Sequence, residues 1–235
     1  EETVDIEVLE PRTTIVLNAD GLEFQSADLV RDGAPALSAE GIVLDSESET
    51  ATLTFADLVQ PGTYGLRIAF SGAIRDSLMG FYRSQYPGAD GETMYLATTQ
   101  FEPAHARFAF PCWDEPALKA TFQLTLEVAD HLDAVSNMPV VQETAAGPGR
   151  KLVEFAESPV MSTYLLAFLV GEMGHVEERS ASGTLVRVLA PRGKEQYGRF
   201  ALETSLKLLA YFNDYFGIPY PLEKLDHVAI PDFAA

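Results

Sequence analysis

The sequence predicts a mostly β protein: a β-sandwich or curved open sheet over the first three quarters, then a short β-α-β unit. Three observations carry that reading. Apolar residues alternate with polar ones in several stretches, turn signals separate those stretches, and one late segment changes to a helical period.

Val4, Ile6 and Val8 alternate at the start, Tyr64, Leu66, Ile68 and Phe70 do so more cleanly, and Phe122, Leu124, Leu126 and Val128 repeat the pattern mid-chain. A period of two places such residues on one face of a strand. Ala19-Asp20-Gly21, Arg31-Asp32-Gly33, Gln60-Pro61-Gly62 and Gly147-Pro148-Gly149 read as the turns between strands. Thr163 to Gly171 is almost continuously apolar and predicts a strand buried on both faces. The character changes near Ser180-Ala181-Ser182-Gly183. Leu185 to Leu189 then reads as a strand and Lys194 to Phe216 as a helix, with Tyr197, Ala201, Leu208, Phe212 and Tyr215 near i, i+4 spacing. Gly217 is the expected C-cap, Pro219 and Pro221 lie just beyond, and Leu225 to Ile230 reads as a last strand. A boundary is therefore expected near residue 183, dividing the chain into 1–183 and 184–235. About fifty residues are too few for a core of their own, so the helix should leave an apolar face uncovered.

Of the 235 residues, 47% are hydrophobic and 22% charged, a balance that favours a folded globular chain over disorder. The net charge of −19 argues against nucleic acid and against an anionic membrane surface, and is compatible with a cationic ligand such as a free amine. Much of that charge reads as a solvated surface. The longest apolar run, Tyr164 to Val170, is far short of the ~20 residues a membrane helix needs. Cys112 is the single cysteine, no Asn-x-Ser/Thr sequon occurs, and no basic-then-apolar leader opens the sequence. Together these predict a reducing, cytoplasmic setting.

A search for chemistry in the residues themselves excludes more than it finds. His105, His131, His175 and His227 are widely separated, and none begins an H-E-x-x-H. Gly147-Pro148-Gly149 lacks the third glycine of a dinucleotide fingerprint, Gly193-Lys194 lacks the Walker hydroxyl, and no G-x-S-x-G elbow occurs. Cys112 reads as a buried structural thiol rather than a nucleophile.

The specific signal is Thr98 to Pro116, Thr-Thr-Gln-Phe-Glu-Pro-Ala-His-Ala-Arg-Phe-Ala-Phe-Pro-Cys-Trp-Asp-Glu-Pro. It resembles the T-Q-x-E-x-x-x-A-R-x-x-F-P-C-x-D-E-P signature of the gluzincin zinc aminopeptidases, the aminopeptidase N and puromycin-sensitive aminopeptidase group. Further segments agree in the family's order: Gly80 to Ser84, Lys119 to Phe122, Ser136 to Pro139, Met161 to Ala167, and Tyr215 to Asp226 running into Ile230 to Ala235. The resemblance covers most of the chain from about residue 75 onward.

The resemblance implies a saddle-like N-terminal β domain over 1–183 and the first β-α-β of a thermolysin-like α+β catalytic domain over 184–235. It also implies that the G-A-M-E-N loop, the zinc ligands and the general base lie beyond Ala235. Zinc is thus the cofactor of the full-length relatives, none is expected on this chain alone, and no catalytic residue or metal ligand is assigned within it. By position, Gln100 and Glu102 match the Q-x-E pair that reaches into the family's cleft. Glu102 would hold the α-ammonium of a peptide with a free N-terminus, while Gln100 and Ala235 would line the first side-chain pocket. The i, i+2 spacing is expected to put Gln100 and Glu102 on one strand face. The partners implied are that peptide and the missing catalytic remainder. Arg107, Asp114 and Glu115 are expected to be structural, with Arg107 pairing a carboxylate to brace the turn at Phe110-Pro111. The competing possibility is a non-catalytic interaction module from the same superfamily.

Overall fold

A computed structural model describes residues 1–88 and 90–233. The alternating segments become strands and the glycine-containing signals fall between them, so the chain is mostly β as its pattern predicts. β1 (Glu2–Val8), β2 (Arg12–Asn18), β3 (Leu22–Val30), β4 (Leu37–Asp45), β5 (Thr50–Val59) and β6 (Gly62–Gly72) form one antiparallel sheet in the order β1-β6-β3-β4-β5-β2. In β6, Tyr64, Leu66 and Ile68 are buried while Thr63 and Arg67 are exposed, the two-residue alternation of a half-buried strand. Val8 of β1 and Ile15 and Leu17 of β2 lie at opposite ends of the strand order yet share one core with Leu29, Leu53 and Leu66. That shared core requires the sheet to curl.

β7 (Gly80–Pro87) and β8 (Thr93–Gln100) form a hairpin in a second sheet of order β10-β13-β8-β7, with β10 (Asp133–Ser136) and β13 (Phe168–Gly171). β9 (Thr125–Ala129), β11 (Val140–Ala145) and β12 (Arg150–Phe155) make a third, antiparallel sheet. The last sheet joins β14 (Met173–Arg179), β15 (Leu185–Pro191) and β16 (Lys224–Val228). β15 and β16 are parallel and are connected through helix α1 (Arg199–Phe216), which is the expected β-α-β unit. β14 and β15 form an antiparallel hairpin whose turn contains Gly183, so this sheet straddles the expected boundary. Gly217 caps α1 in the left-handed region at φ 64°, donating its N–H to the Asp214 carbonyl. Nothing lies within 4 Å of a Cβ built there. Gly217→Ala should therefore cost only backbone strain, about 1–2 kcal/mol. A thermal melt should show a loss of roughly 2–8 °C.

Two local expectations are corrected. Thr163 to Gly171 is a 3-10 turn (Thr163–Leu165) followed by the short β13, which alternates half-buried and buried residues. Long-range polar contacts divide it: Ser162 Oγ donates to the Pro116 carbonyl, Thr163 Oγ1 to Asp114, and the Ala167 N–H to Asn137 Oδ1. The helix begins at Arg199 rather than Lys194, after a 3-10 turn over Glu195–Gly198. Gly198 packs against β15 and β14 there, and a Cβ on it would stand 2.8 Å from Val188.

Candidate functional site

The segment after β8 is held by contacts far apart in sequence. Phe101 is buried and packs edge-on against Phe110 and Phe168, with centroids 5.8 and 6.2 Å away. The His105 N–H donates to the Phe101 carbonyl at 2.8 Å, which closes the turn over Glu102, and the Glu102–Pro103 peptide bond is cis. Beneath the turn, Phe108 lies against Gly80, where a Cβ would come within 2.7 Å of the Phe108 Cβ at a φ of +75°. Only glycine fits that approach. Arg75 lies over the Phe108 ring, 3.9 Å from its centroid, and pairs with Asp20 at 2.9 Å. Farther along, Asn18 and Cys112 exchange both backbone hydrogen bonds, at 2.7 and 3.0 Å, and the Trp113 Nε1–H donates to the Val16 carbonyl. The signature segment is thus fastened to the end of β2.

Arg107 occupies the centre of this bracing, as expected. Its Nε donates to Asp114 Oδ2 and its Nη1 to Glu49 Oε2, each at 3.1 Å. Asp114 is 3% exposed and uses its other oxygen to accept from Thr163 Oγ1 at 2.7 Å, while its own N–H donates to Asn18 Oδ1. A carboxylate this deeply buried, with donors on both oxygens, is a structural group. Glu115 is exposed. Burial is the largest cause pushing the Cys112 thiol well above its ordinary value, so it stays protonated and unreactive.

Gln100 is the last residue of β8, opposite Gly80, and lines a groove of about 630 Å³. That groove runs between the second sheet and the last one, past Thr98, Asn137, Phe168, Lys224 and Phe233. Glu102 does not line it. The strand ends at Gln100, so strand alternation does not carry Glu102 onto the same face, which corrects the expected i, i+2 arrangement. Glu102 stands exposed on the braced turn, and among the described residues its carboxylate has no hydrogen-bond or ion-pair partner. Ala235 lies outside the described residues. The backbone leading toward it is fixed: Tyr82 Oη donates to the Asp232 carbonyl at 2.8 Å and the Asp232 N–H to Ser84 Oγ at 3.1 Å. Burial, with the Asp232 charge adding to it, pushes the Tyr82 hydroxyl up to about 12, so it remains a donor at neutral pH.

A feature absent from the sequence reading ties the two sheets together across the groove. Asp226 accepts from Arg187 Nε and Nη2 at 2.7 and 2.6 Å and from Lys224 Nζ, and Lys224 Nζ also donates to the Ser136 carbonyl of β10 at 2.7 Å. Burial opposes ionisation of Asp226, but the bonds from Arg187 and Lys224 prevail and hold it below its ordinary value. Burial pushes Lys224 down from its ordinary value. The only sequence signal was a Lys-x-Asp alternation in a strand, which by itself reads as a solvent face.

Among the described residues no three His, Cys, Asp or Glu side chains converge as a metal would need. His105 stacks on Phe108 and His227 meets Ser205 at 2.8 Å, each engaged apart from the others. These residues do not fit a zinc ion. No described helix is long and apolar enough to cross a membrane.

Comparison with known proteins now adds to this geometry. Residues 1–165 match the family described as Peptidase M1 N-terminal domain. The chain belongs to that peptidase M1 family. Aminopeptidase M1 of Arabidopsis thaliana is 45% identical over 235 residues, covering 99% of this chain and 26% of the relative. Puromycin-sensitive aminopeptidase of Caenorhabditis elegans is 42% identical, covering 99% of this chain and 25% of the relative. Aminopeptidase N of Acetobacter pasteurianus is 45% identical over 231 residues, covering 98% of this chain and 63% of that protein. The chain thus spans about a quarter of the length of the first two relatives.

Proposed function

We propose that this M1 chain is the N-terminal portion of a zinc-dependent aminopeptidase that removes N-terminal residues from peptides, and that Glu102 recognises the free amine. The observation that carries the proposal is Glu102 itself: an exposed carboxylate without a partner among the described residues, on a turn braced by Phe101, Phe108 and Arg107. An exopeptidase must distinguish an α-ammonium from an internal amide, and a fixed carboxylate does so through a charge-assisted hydrogen bond. Rigid mounting matters, because a group already in place loses little freedom on binding. Gln100 offers a neutral amide to the first side chain from the groove lip, and position 235 would complete that pocket. The acidic surface favours approach of a cationic N-terminus.

The metal and the base that activates water belong to polypeptide outside residues 1–235, and no step of the hydrolysis is assigned to this chain. A reducing, cytoplasmic setting suits the single buried Cys112. Metal analysis and an aminoacyl-amide assay test the division of labour. The 235-residue chain should hold no stoichiometric zinc and hydrolyse nothing. Extended by the polypeptide that the Arabidopsis relative carries outside the match, it should hold zinc and hydrolyse the amide. One tightly held zinc per short chain, or an extended chain without activity, contradicts it.

A further inference from the structure

The two faces of β15 differ in chemistry. Val186 and Val188 face helix α1, where they pack with Leu202 and Leu209. Leu185 and Arg187, one residue out of step, therefore point to the opposite face. Residues paired across a sheet share a face, so Glu177 and Arg179 of β14 and Lys224 and Asp226 of β16 join them there. Three cations thus meet on one sheet face in a chain whose net charge is −19. Between that face and residues 134–140 lies a pocket of about 300 Å³. Arg179, Arg187 and Lys224 line it, and Met138, Val140 and Phe155 supply apolar wall. Among the described lining residues Glu223 is the one carboxylate, and it is exposed. Asp226 is already committed: its side chain is 7% exposed and accepts from both Arg187 and Lys224. Glu177 faces Arg187 from β14 but does not line the pocket, and it lies 3.5 Å from His175.

We propose that this pocket binds a small organic carboxylate carrying an apolar stem. Arg187 and Lys224 share one buried carboxylate, so their pair of charges is only half matched. Burial above all, with the Arg187 charge, pushes Lys224 down against the pull of Asp226, as befits a positive charge short of compensation. Donors remain for a ligand. Arg187 uses Nε and Nη2 on Asp226, and its Nη1 has no hydrogen-bond partner among the described residues. Arg179 donates Nη1 to the Gly183 carbonyl and has no ion-pair partner among the described residues. Two guanidinium forks suit the two oxygens of a carboxylate, and the stem would lie against Met138, Val140 and Phe155. A volume of about 300 Å³ stands at the small end of ligand sites, which favours a compact ligand over a peptide. An inorganic anion would leave the apolar wall unused. The pocket shares Ser136 and Lys224 with the groove that Gln100 lines, yet the proposal holds whether or not Glu102 binds an amine.

Calorimetric titration of the 235-residue chain with 3-phenylpropionate tests the assignment, with 3-phenylpropanamide, acetate and inorganic phosphate as comparisons. A single 3-phenylpropionate should bind saturably per chain at millimolar concentration or below. The neutral amide should bind roughly tenfold more weakly, since it forfeits the charge-assisted bonds. Acetate and phosphate should also bind more weakly, because neither covers the apolar wall. Arg179→Gln should weaken 3-phenylpropionate by roughly three- to tenfold. Lys119→Gln, the same charge change at an exposed position that does not line the pocket, should stay within about twofold. Val140→Glu sets a like charge at the pocket from an exposed position on β11, at the edge of its sheet, and should abolish binding while the chain stays folded. Four results would each overturn the proposal: no saturable binding, equal binding of acid and amide, phosphate or acetate binding as tightly as 3-phenylpropionate, or equal losses in Arg179→Gln and Lys119→Gln.

Discussion

Asp114→Ala should destabilise the chain by about 3–5 kcal/mol, the usual cost of breaking a buried ion pair from one side. The aspartate is nearly inaccessible, and its removal strands the Arg107 guanidinium, itself only 12% exposed at the side chain, with Glu49 as its remaining charge partner. The Thr163 hydroxyl loses its acceptor at the same time, so a second buried polar group is left unsatisfied. For a chain of this size the loss corresponds to roughly 6–20 °C in the melting midpoint. Asp114→Asn keeps one acceptor oxygen and should lose less. Glu115→Ala, next in sequence but exposed, should change stability by no more than about 0.5 kcal/mol. Chemical denaturation of the three variants decides the matter. A loss below about 1 kcal/mol for Asp114→Ala would show that the bracing of the turn does not depend on this pair.

Much of the fold was legible because half-buried strands announce themselves. In β1 the residues from Glu2 to Glu7 alternate half-buried and exposed and Val8 is buried, as period two demands, and Gly217 stops α1 where its sequence says it should. The curl of the first sheet was not legible. It depends on β1 and β2 sharing a core although four strands separate them in the sheet order, and no local pattern encodes that register. The run from Thr163 to Gly171 misled for a related reason: its polar anchors, Pro116, Asp114 and Asn137, are all distant in sequence. Lys224 and Asp226 were invisible as a buried network, since a charge in a strand reads as solvent-facing until its partner is known.

The candidate site was legible only through resemblance. Asp and Glu together number 35, and nothing in the local chemistry of Glu102 separates it from the others. The fold adds what the motif could not, a reason for its rigidity: Gly80 admits Phe108 beneath the turn, and Arg107 fastens the far side. It also separates two residues that a strand would have kept on one face. Gln100 ends β8 and lines the groove, whereas Glu102 rides the following turn.

The most direct measurement is kcat/KM for a free-amine substrate and its N-acetylated counterpart, in the extended, zinc-loaded chain and its Glu102 variants. Glu102→Ala should lower the free-amine value by roughly ten- to a hundredfold, since a charge-assisted contact contributes about 1.5–3 kcal/mol. Glu102→Gln, which keeps an acceptor but not the charge, should lose somewhat less. The already poor N-acetylated substrate should barely respond, and the melting midpoint should not move, because the side chain is exposed. A Glu102→Ala enzyme that hydrolyses the free-amine substrate within about twofold of the parent, a difference of roughly 0.4 kcal/mol, would contradict amine recognition by this carboxylate.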